Sequence, residues 1–293
     1  MVLIKTRVQP SGIQPWEFSP VDTAPRRLPV FGTSMKTFRQ LLTIVALSIA
    51  TQLTAQTNAP VTASVAASTN APVVAVPRAN PAIKPAKHEG KRTDLVMQRA
   101  KEAPGEYDIA FIGDSITQGW EGSGKNVWQK FYGGRKCIDL GVGGDRTEHV
   151  LWRFENGQLD GLKPKAVVLM IGTNNSNNNK DGTEHYSTAE ILGGVQAIVQ
   201  QLRARLPDTK LVVLGIFPRG GTFSAQRGKL LQINQALAKL DDGKMIHYID
   251  FGPQLIEADG SISKAVMPDK LHLSERGYQI WAEAIEPKLK ELL

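Results

Sequence analysis

Serine, histidine and aspartate occur in short segments whose spacing suits acyl transfer. Ser115 lies in Gly113-Asp114-Ser115, directly after the apolar run Tyr107–Ile112, and His272 follows Asp269 by three positions. A serine hydroxyl becomes a nucleophile when a histidine removes its proton, and a carboxylate beside that histidine fixes its tautomer and stabilises the imidazolium. The pattern therefore predicts Ser115 as nucleophile, His272 as general base and Asp269 as the carboxylate that orients it.

Two further segments offer hydrogen-bond donors that such chemistry would need. Gly141-Val142-Gly143-Gly144 and Gly172-Thr173-Asn174 each follow an apolar run of strand length. Glycine lets a backbone N–H approach a ligand closely, and an asparagine amide donates hydrogen bonds without carrying charge. A developing oxyanion requires donors of this kind, so both segments are candidates for an oxyanion site.

Each of these segments also has an ordinary structural interpretation. Asp114 and Ser115 are favoured at helix starts, the glycine segment can be a tight loop capped by Asp145, and a histidine before a helix is often a surface residue. The glycine spacing does not give the dinucleotide-binding pattern G-x-G-x-x-G, because position 146 is arginine. The presence of all four segments in one chain favours the catalytic interpretation.

The elements that would position these residues form an alternating pattern. Helical spacing of apolar residues predicts helices over 189–205, 226–240 and 274–292. The predicted strands are Tyr107–Ile112, Lys136–Leu140, Ala166–Ile171, Lys210–Phe217 and Met245–Ile249. Such alternation predicts right-handed βαβ units around a parallel sheet of about five strands, an α/β three-layer sandwich. Ligands bind at the carboxyl edge of such sheets, where the polar segments would meet.

Charge and composition exclude several other classes of protein. The first 93 residues hold eleven of the 35 basic and three of the 28 acidic residues, which leaves 24 and 25 for the rest. Because the remainder carries almost no net charge, we expect no nucleic-acid partner. Cys137 is the only cysteine, which excludes an intrachain disulfide, and we expect it in the core. The five histidines show no paired metal-ligand spacing, so no metal site is expected.

The N-terminal third resembles an export and spacer region. Residues 35–55 combine a short basic region, an apolar run of about ten residues and small residues, which is the pattern of a secretory signal peptide. The run is shorter than the about twenty apolar residues of a membrane span, so no stable span is expected after cleavage. An uncleaved anchor or a buried helix is the alternative.

The other boundaries follow from composition. We predict that residues 1–34 are a disordered extension or a mis-assigned start. Residues 56–91, rich in alanine and proline, are predicted to be a flexible linker, and residues 92–293 the folded domain.

The four segments resemble the motifs of the SGNH, or GDSL, hydrolase superfamily. Within it, the chain is similar to the catalytic subunits of intracellular platelet-activating-factor acetylhydrolase, and the resemblance covers roughly residues 94–293. The matching segments are 141–153, 156–157, 163–165, 172–175 and 214–219. The resemblance implies a flavodoxin-like fold, no metal or organic cofactor, and an acyl-enzyme on Ser115. It also implies oxyanion donors from the backbone of Ser115 and Gly144 and from the side chain of Asn174.

We therefore expect an exported serine esterase, periplasmic or secreted, that removes short acyl groups, above all acetyl, from carbohydrate. The export signal sets the chain apart from the cytosolic acetylhydrolase, and the polar loop 176–188 does not suit a long acyl tunnel. A lipid-directed acylhydrolase, lysophospholipase or arylesterase is the alternative, and a noncatalytic binding module a more distant one. The resemblance also allows a homodimer. Arg146, His149, Trp152 and Arg219 are expected to be structural.

Overall fold

Five strands form one parallel sheet in the computed structural model, which describes residues 78–293. They are β1 (Gly105–Gly113), β2 (Cys137–Asp139), β3 (Leu162–Met170), β4 (Lys210–Leu214) and β5 (Ile246–Ile249). Their order is β2-β1-β3-β4-β5, and every neighbouring pair is parallel. The order of the strands reverses at the boundary between β1 and β3, which is where ligands bind in doubly wound sheets.

Helices cover both faces of the sheet. Those of four residues or more in the described part are α1 (Lys91–Glu102), α2 (Ser115–Gln118), α3 (Lys125–Tyr132), α4 (Thr147–Glu155), α5 (Thr188–Arg205), α6 (Ala225–Leu237) and α7 (Glu275–Leu292). Helices α1, α4, α5 and α6 pack in one apolar cluster, and α3 and α7 pack in the other. Ala110 and Ile112 of β1 face the first cluster, while Ile109 and Phe111 face the second. The predicted three-layer α/β sandwich is confirmed.

The central strands are apolar because they are covered on both faces. The run Ala166–Met170 of β3 is at most 1% exposed, as expected for a strand inside a parallel sheet. Strand β4 ends at Leu214, three residues before the predicted end. There the Asn234 side chain accepts from the Ile216 N–H and donates to its carbonyl, at 2.8 and 3.0 Å, in place of a strand neighbour. Helices α1, α3 and α4 were not expected from the sequence.

The N-terminal predictions meet the structure only in part. Residues 1–34, the predicted signal peptide 35–55 and residues 56–77 lie outside the described residues. Among residues 78–293, no helix is both long enough and apolar enough to cross a bilayer.

Residues 78–90, called the strap below, differ from the predicted flexible linker because they pack against the domain. Ala82 is fully buried, and the Ala86 N–H donates to the Glu148 carbonyl at 3.1 Å. The Arg78 guanidinium makes two hydrogen bonds to the Glu190 carboxylate, at 2.7 and 2.8 Å. Polar contacts of this kind hold the strap, because its one large aliphatic residue, Ile83, is exposed rather than packed in the core.

Candidate active site

The predicted nucleophile, base and carboxylate form one hydrogen-bonded chain, although 157 positions separate the serine from the histidine. Ser115 Oγ is 2.9 Å from His272 Nε2, and His272 Nδ1 is 2.6 Å from Asp269 Oδ2. Ser115 lies at the start of α2, directly after β1, and Asp269 and His272 lie in the turn before α7. The two segments meet at the carboxyl edge of the sheet.

The turn that carries Asp269 and His272 also orients the carboxylate. Asp269 Oδ1 accepts the backbone N–H groups of Leu271 at 3.0 Å and His272 at 2.7 Å. Partial burial raises the pKa of Asp269, but the hydrogen bonds from the His272 side chain and from the two backbone N–H groups outweigh this and lower it to about 2. The carboxylate is therefore ionised above that pH. It faces His272 Nδ1, which places the proton on Nδ1 and leaves Nε2 to accept from Ser115.

Lys270, between the two residues, has a left-handed backbone with φ of 65°. Its carbonyl accepts from the Gly220 N–H at 2.8 Å. A residue other than glycine in this region is strained, and such strain is held only where the surroundings fix it. The turn is thus anchored from the neighbouring loop.

Ser115 is held from both sides of its short helix. The Asp114 side chain caps α2 by accepting the Ile116 N–H at 3.0 Å, and the Tyr278 hydroxyl of α7 donates to the Ile116 carbonyl at 2.6 Å. Asp114 is fully buried, and this burial raises the pKa of its carboxyl to about 7. The position of Ser115 is therefore fixed by the Asp114 cap and by Tyr278 of α7, the helix that follows His272.

Residues 141–146, called the glycine loop below, lie directly beside the serine. A Cβ placed on Gly143 would be 3.7 Å from the Ser115 Cβ, and the Gly143 N–H donates to Gln118 Oε1 at 2.8 Å. Gly144 has φ of +82°, a conformation that other residues rarely adopt. Within residues 78–293 the Gly144 N–H donates no hydrogen bond, so it is free to donate to a ligand.

Asn174 follows β3 and contacts the same loop. Its Nδ2 donates to the Asp145 carbonyl at 2.8 Å, which leaves the second amide proton free for a ligand. Arg219 donates from Nη1 to the Thr173 carbonyl at 3.0 Å and so supports the loop that carries Asn174. Asn175 is buried and accepts the Thr147 N–H at 3.0 Å, which ties this loop to α4.

Three possible metal ligands lie together, contrary to what the histidine spacing indicated. His88, Asp145 and His149 each place a ligand atom within 4.8 Å of the others. The Nδ1 atom of each histidine and the carboxylate of Asp145 are already in contact with polar groups of the protein. His88 Nδ1 is 2.8 Å from Asp145 Oδ1, His149 Nδ1 accepts the Arg146 N–H at 3.0 Å, and Arg153 Nη2 forms an ion pair with Asp145 Oδ2 at 2.8 Å. The cluster is thus an internal hydrogen-bond and ion-pair network as it stands.

Sequence reasoning missed the residues that support the site. Gln118 could have been found, because it follows Ser115 by three positions and so lies one helical turn away. His88 and Tyr278 carry no such signal, since His88 lies in the predicted linker and Tyr278 reads as a core residue of α7. Cys137 is only partly buried, and burial raises the pKa of its thiol to about 12.

The candidate catalytic groups lie at an open surface. The side chains of His272 and Asp269 are 46% and 56% exposed. Three cavities of about 630, 780 and 290 Å³ lie elsewhere, and none is lined by Ser115, Asp269 or His272.

A doubly wound parallel sheet that holds a Ser–His–Asp chain at its carboxyl edge defines an α/β serine hydrolase. Residues 111–280 match the GDSL-like Lipase/Acylhydrolase family. The chain belongs to this family and is an ester-hydrolysing enzyme.

Relatives refine the comparison. The chain is 39% identical over 190 residues to platelet-activating factor acetylhydrolase IB subunit alpha1 of Homo sapiens, covering 64% of this chain and 78% of the relative. It is 36% identical to the alpha2 subunit of Rattus norvegicus over the same length, with the same coverage. A GDSL-like lipase from Bacteroides thetaiotaomicron has the same fold, with a TM-score of 0.56, 18% identity, and coverage of 69% of this chain and 98% of that structure.

Proposed function

We propose that this chain is a serine acylhydrolase that removes acetyl groups from esters. The observation that carries the proposal is the hydrogen-bonded chain from Ser115 through His272 to Asp269. Relatives that are 36–39% identical to it over 190 residues are named as acetylhydrolases, which supports acetyl as the acyl group. The open surface around the triad also suits a short acyl group, since a long chain needs an apolar cavity.

The proposed reaction has two halves. Ser115 Oγ attacks the ester carbonyl carbon while His272 Nε2 takes its proton, and Asp269 stabilises the imidazolium that forms. The tetrahedral oxyanion accepts hydrogen bonds from the backbone N–H of Ser115, the backbone N–H of Gly144 and the Asn174 amide. His272 then gives the proton to the departing alcohol, and an acetyl-enzyme remains. Water, deprotonated by His272, attacks this intermediate. The second tetrahedral species then collapses, His272 returns the proton to Ser115 Oγ, and acetate is released.

For the alcohol, we propose a lipid-like moiety of the glycerophospholipid type. The carbohydrate alcohol expected from the sequence rests on the export signal alone, whereas the names of the relatives favour the lipid alternative. Arylesterase activity on activated acetyl esters would follow from the same site.

The test compares wild type with Ser115→Ala and with Ser123→Ala, which removes an exposed serine away from the triad. We expect the first variant to lose p-nitrophenyl acetate hydrolysis by at least about 10³-fold, and the second to match wild type. Turnover should fall steeply from acetyl to palmitoyl esters. If wild type is no faster than Ser115→Ala, the proposal is rejected.

Natural substrates then separate the two alcohols. An ether phospholipid with an acetyl group at its second glycerol carbon and acetylated xylan are offered at equal acetyl concentration. Preferred release of acetate from the phospholipid supports the proposed alcohol, and preference for xylan restores the carbohydrate interpretation.

We also propose export through the segment at residues 35–55, on the basis of its basic, apolar and small-residue order. N-terminal sequencing of the mature protein should begin close to residue 56, and an intact N-terminus in the cell would contradict export.

A further inference from the structure

His88 of the strap contacts the glycine loop at Gly144 and Asp145. Its Nδ1 is 2.8 Å from Asp145 Oδ1, and a Cβ placed on Gly144 would be 3.1 Å from His88 Cε1 and 3.7 Å from its Nε2. The His88 imidazole therefore lies against Gly144 and, through Nδ1, makes a hydrogen bond to Asp145. His88 lies outside residues 111–280, the part that matches the family.

Asp145 lies next to two of the candidate oxyanion donors, the Gly144 N–H and the Asn174 amide, the third being the backbone of Ser115. It follows Gly144 in the chain, and its carbonyl accepts the Asn174 amide at 2.8 Å. Its carboxylate is 1% exposed and has two partners, His88 and the fully buried Arg153. Because a buried carboxylate must keep its partners, the direction in which Asp145 points is set by His88 and Arg153 together.

The protons in this cluster can be assigned from its contacts. His88 Nδ1 faces a carboxylate, so it carries the proton, and Nε2 is left as the unprotonated nitrogen of the ring. His149 Nδ1 accepts the Arg146 N–H, and the His149 ring stacks on His88 with centroids 4.8 Å apart. The stacking and the Asp145 contact hold His88 in one orientation.

We propose that His88 is a positioning residue of the oxyanion site, which acts through Asp145 to hold Gly144 and Asn174 in place. The inference rests on the proposed function. Loss of the His88 contact leaves the Asp145 carboxylate held by Arg153 alone. The backbone at Gly144 and Asp145 then becomes more mobile, and the hydrogen bond to the Asp145 carbonyl holds the Asn174 amide less firmly in register with the Gly144 N–H. Transition-state stabilisation falls, while binding of the ground-state ester changes little.

The test uses the full chain with three substitutions of His88. His88→Ala removes the donor and the ring, and His88→Phe keeps a ring without a donor. His88→Asn places an amide N–H where Nδ1 stands. We expect kcat on p-nitrophenyl acetate to fall on the order of tenfold to a hundredfold in the Ala and Phe variants, with KM within about twofold of wild type. The Asn variant should recover kcat to within about threefold of wild type.

Two controls separate positioning from general destabilisation. His247→Ala alters a buried histidine of β5 and should lower the melting temperature without lowering kcat at 25 °C. Hydrogen exchange measured by mass spectrometry should be faster in peptides covering residues 141–147 of the Ala and Phe variants, but not of the Asn variant.

Three outcomes overturn the inference. They are a kcat of His88→Ala within twofold of wild type, a loss that His88→Asn does not recover, and an equal loss in His247→Ala. In each of these cases Ser115→Ala remains inactive and the proposed function stands. If Ser115→Ala is as active as wild type, the proposed function itself fails and the inference falls with it.

Discussion

Asp114 and Ser115 are adjacent residues in very different surroundings. Ser115 is half-buried and its Oγ is 2.9 Å from His272 Nε2, whereas the Asp114 carboxyl is fully buried. One oxygen of Asp114 accepts the Ile116 N–H, and the other has no partner among residues 78–293. Burial is the largest influence on this carboxyl and raises its pKa; the Ile116 N–H lowers it, and Asp145 raises it further, so that the pKa is about 7.

This raised pKa predicts how Asp114→Asn changes stability with pH. Between pH 4 and 7 the folded protein keeps the proton on Asp114 while the unfolded chain loses it, so the wild type loses stability as pH rises. Asparagine keeps the cap acceptor and does not titrate. Relative to wild type, the variant should gain up to about 1.4 kcal/mol of unfolding free energy per pH unit across this range.

Urea denaturation at pH 4, 5.5, 7 and 8 measures the difference. Other buried carboxyls, such as Asp139, are present in both proteins and cancel. Parallel stability curves for wild type and Asp114→Asn would show that Asp114 is ionised throughout and would contradict the prediction.

Among the secondary-structure elements, α7 connects the turn that holds Asp269 and His272 to the short helix that holds Ser115. It begins just after His272, and its Tyr278 hydroxyl donates to the Ile116 carbonyl at 2.6 Å, one residue from the nucleophile. Tyr278 is 1% exposed and packs on Trp120 with ring centroids 4.6 Å apart. The helix that follows the base therefore also holds the helix of the nucleophile.

Tyr278→Phe should weaken this connection. Loss of a buried hydrogen bond costs about 1–2 kcal/mol of unfolding free energy, and we expect kcat on acetyl esters to fall severalfold as the start of α2 loosens. Tyr132→Phe is the matched control, because the buried Tyr132 hydroxyl has no partner within residues 78–293. Equal effects of the two substitutions on kcat would show that the Tyr278 hydroxyl plays no special part.

The secondary-structure elements and the triad could be predicted from the sequence better than the residues that hold the triad in place. Apolar runs such as Ala166–Ile171 define buried parallel strands, and the polar residues that end them must share one edge of the sheet. Contacts between distant segments leave no periodic signal, as Tyr278 with Ile116 and His88 with Asp145 illustrate. The strap was missed for a related reason, since it is held by hydrogen bonds and one small buried residue, Ala82, rather than by an apolar face.

The strap packs against both α4 and α5, which lie in one layer of the domain. The Thr147 hydroxyl donates to the Ala82 carbonyl at 2.8 Å, and Asn80 donates to the Glu190 carbonyl at 3.0 Å. The strap therefore connects the first turns of α4 and α5, the two helices that flank the candidate site. These contacts show that the strap packs on the folded part of the chain, although it precedes the predicted boundary at residue 92.

Two shortened chains test this boundary. A chain without residues 1–77 should keep the melting temperature of the mature protein, because the strap remains. A chain without residues 1–90 loses the partners of Thr147 and Asp145, and its melting temperature should fall by on the order of 5–10 °C. Differential scanning calorimetry measures both, and equal melting temperatures would show that the strap adds nothing to stability.

The distance of 157 positions between Ser115 and His272 has a consequence for when activity arises. A growing or proteolysed chain that lacks the segment before α7 has the proposed nucleophile without the proposed base, even when its first strands have paired. Hydrolysis therefore begins only after the two distant segments of the domain have met. Appearance of activity reports completion of folding, and a cut in the exposed turn at 180–183 would yield two inert fragments whose reassociation can be timed by the return of ester hydrolysis.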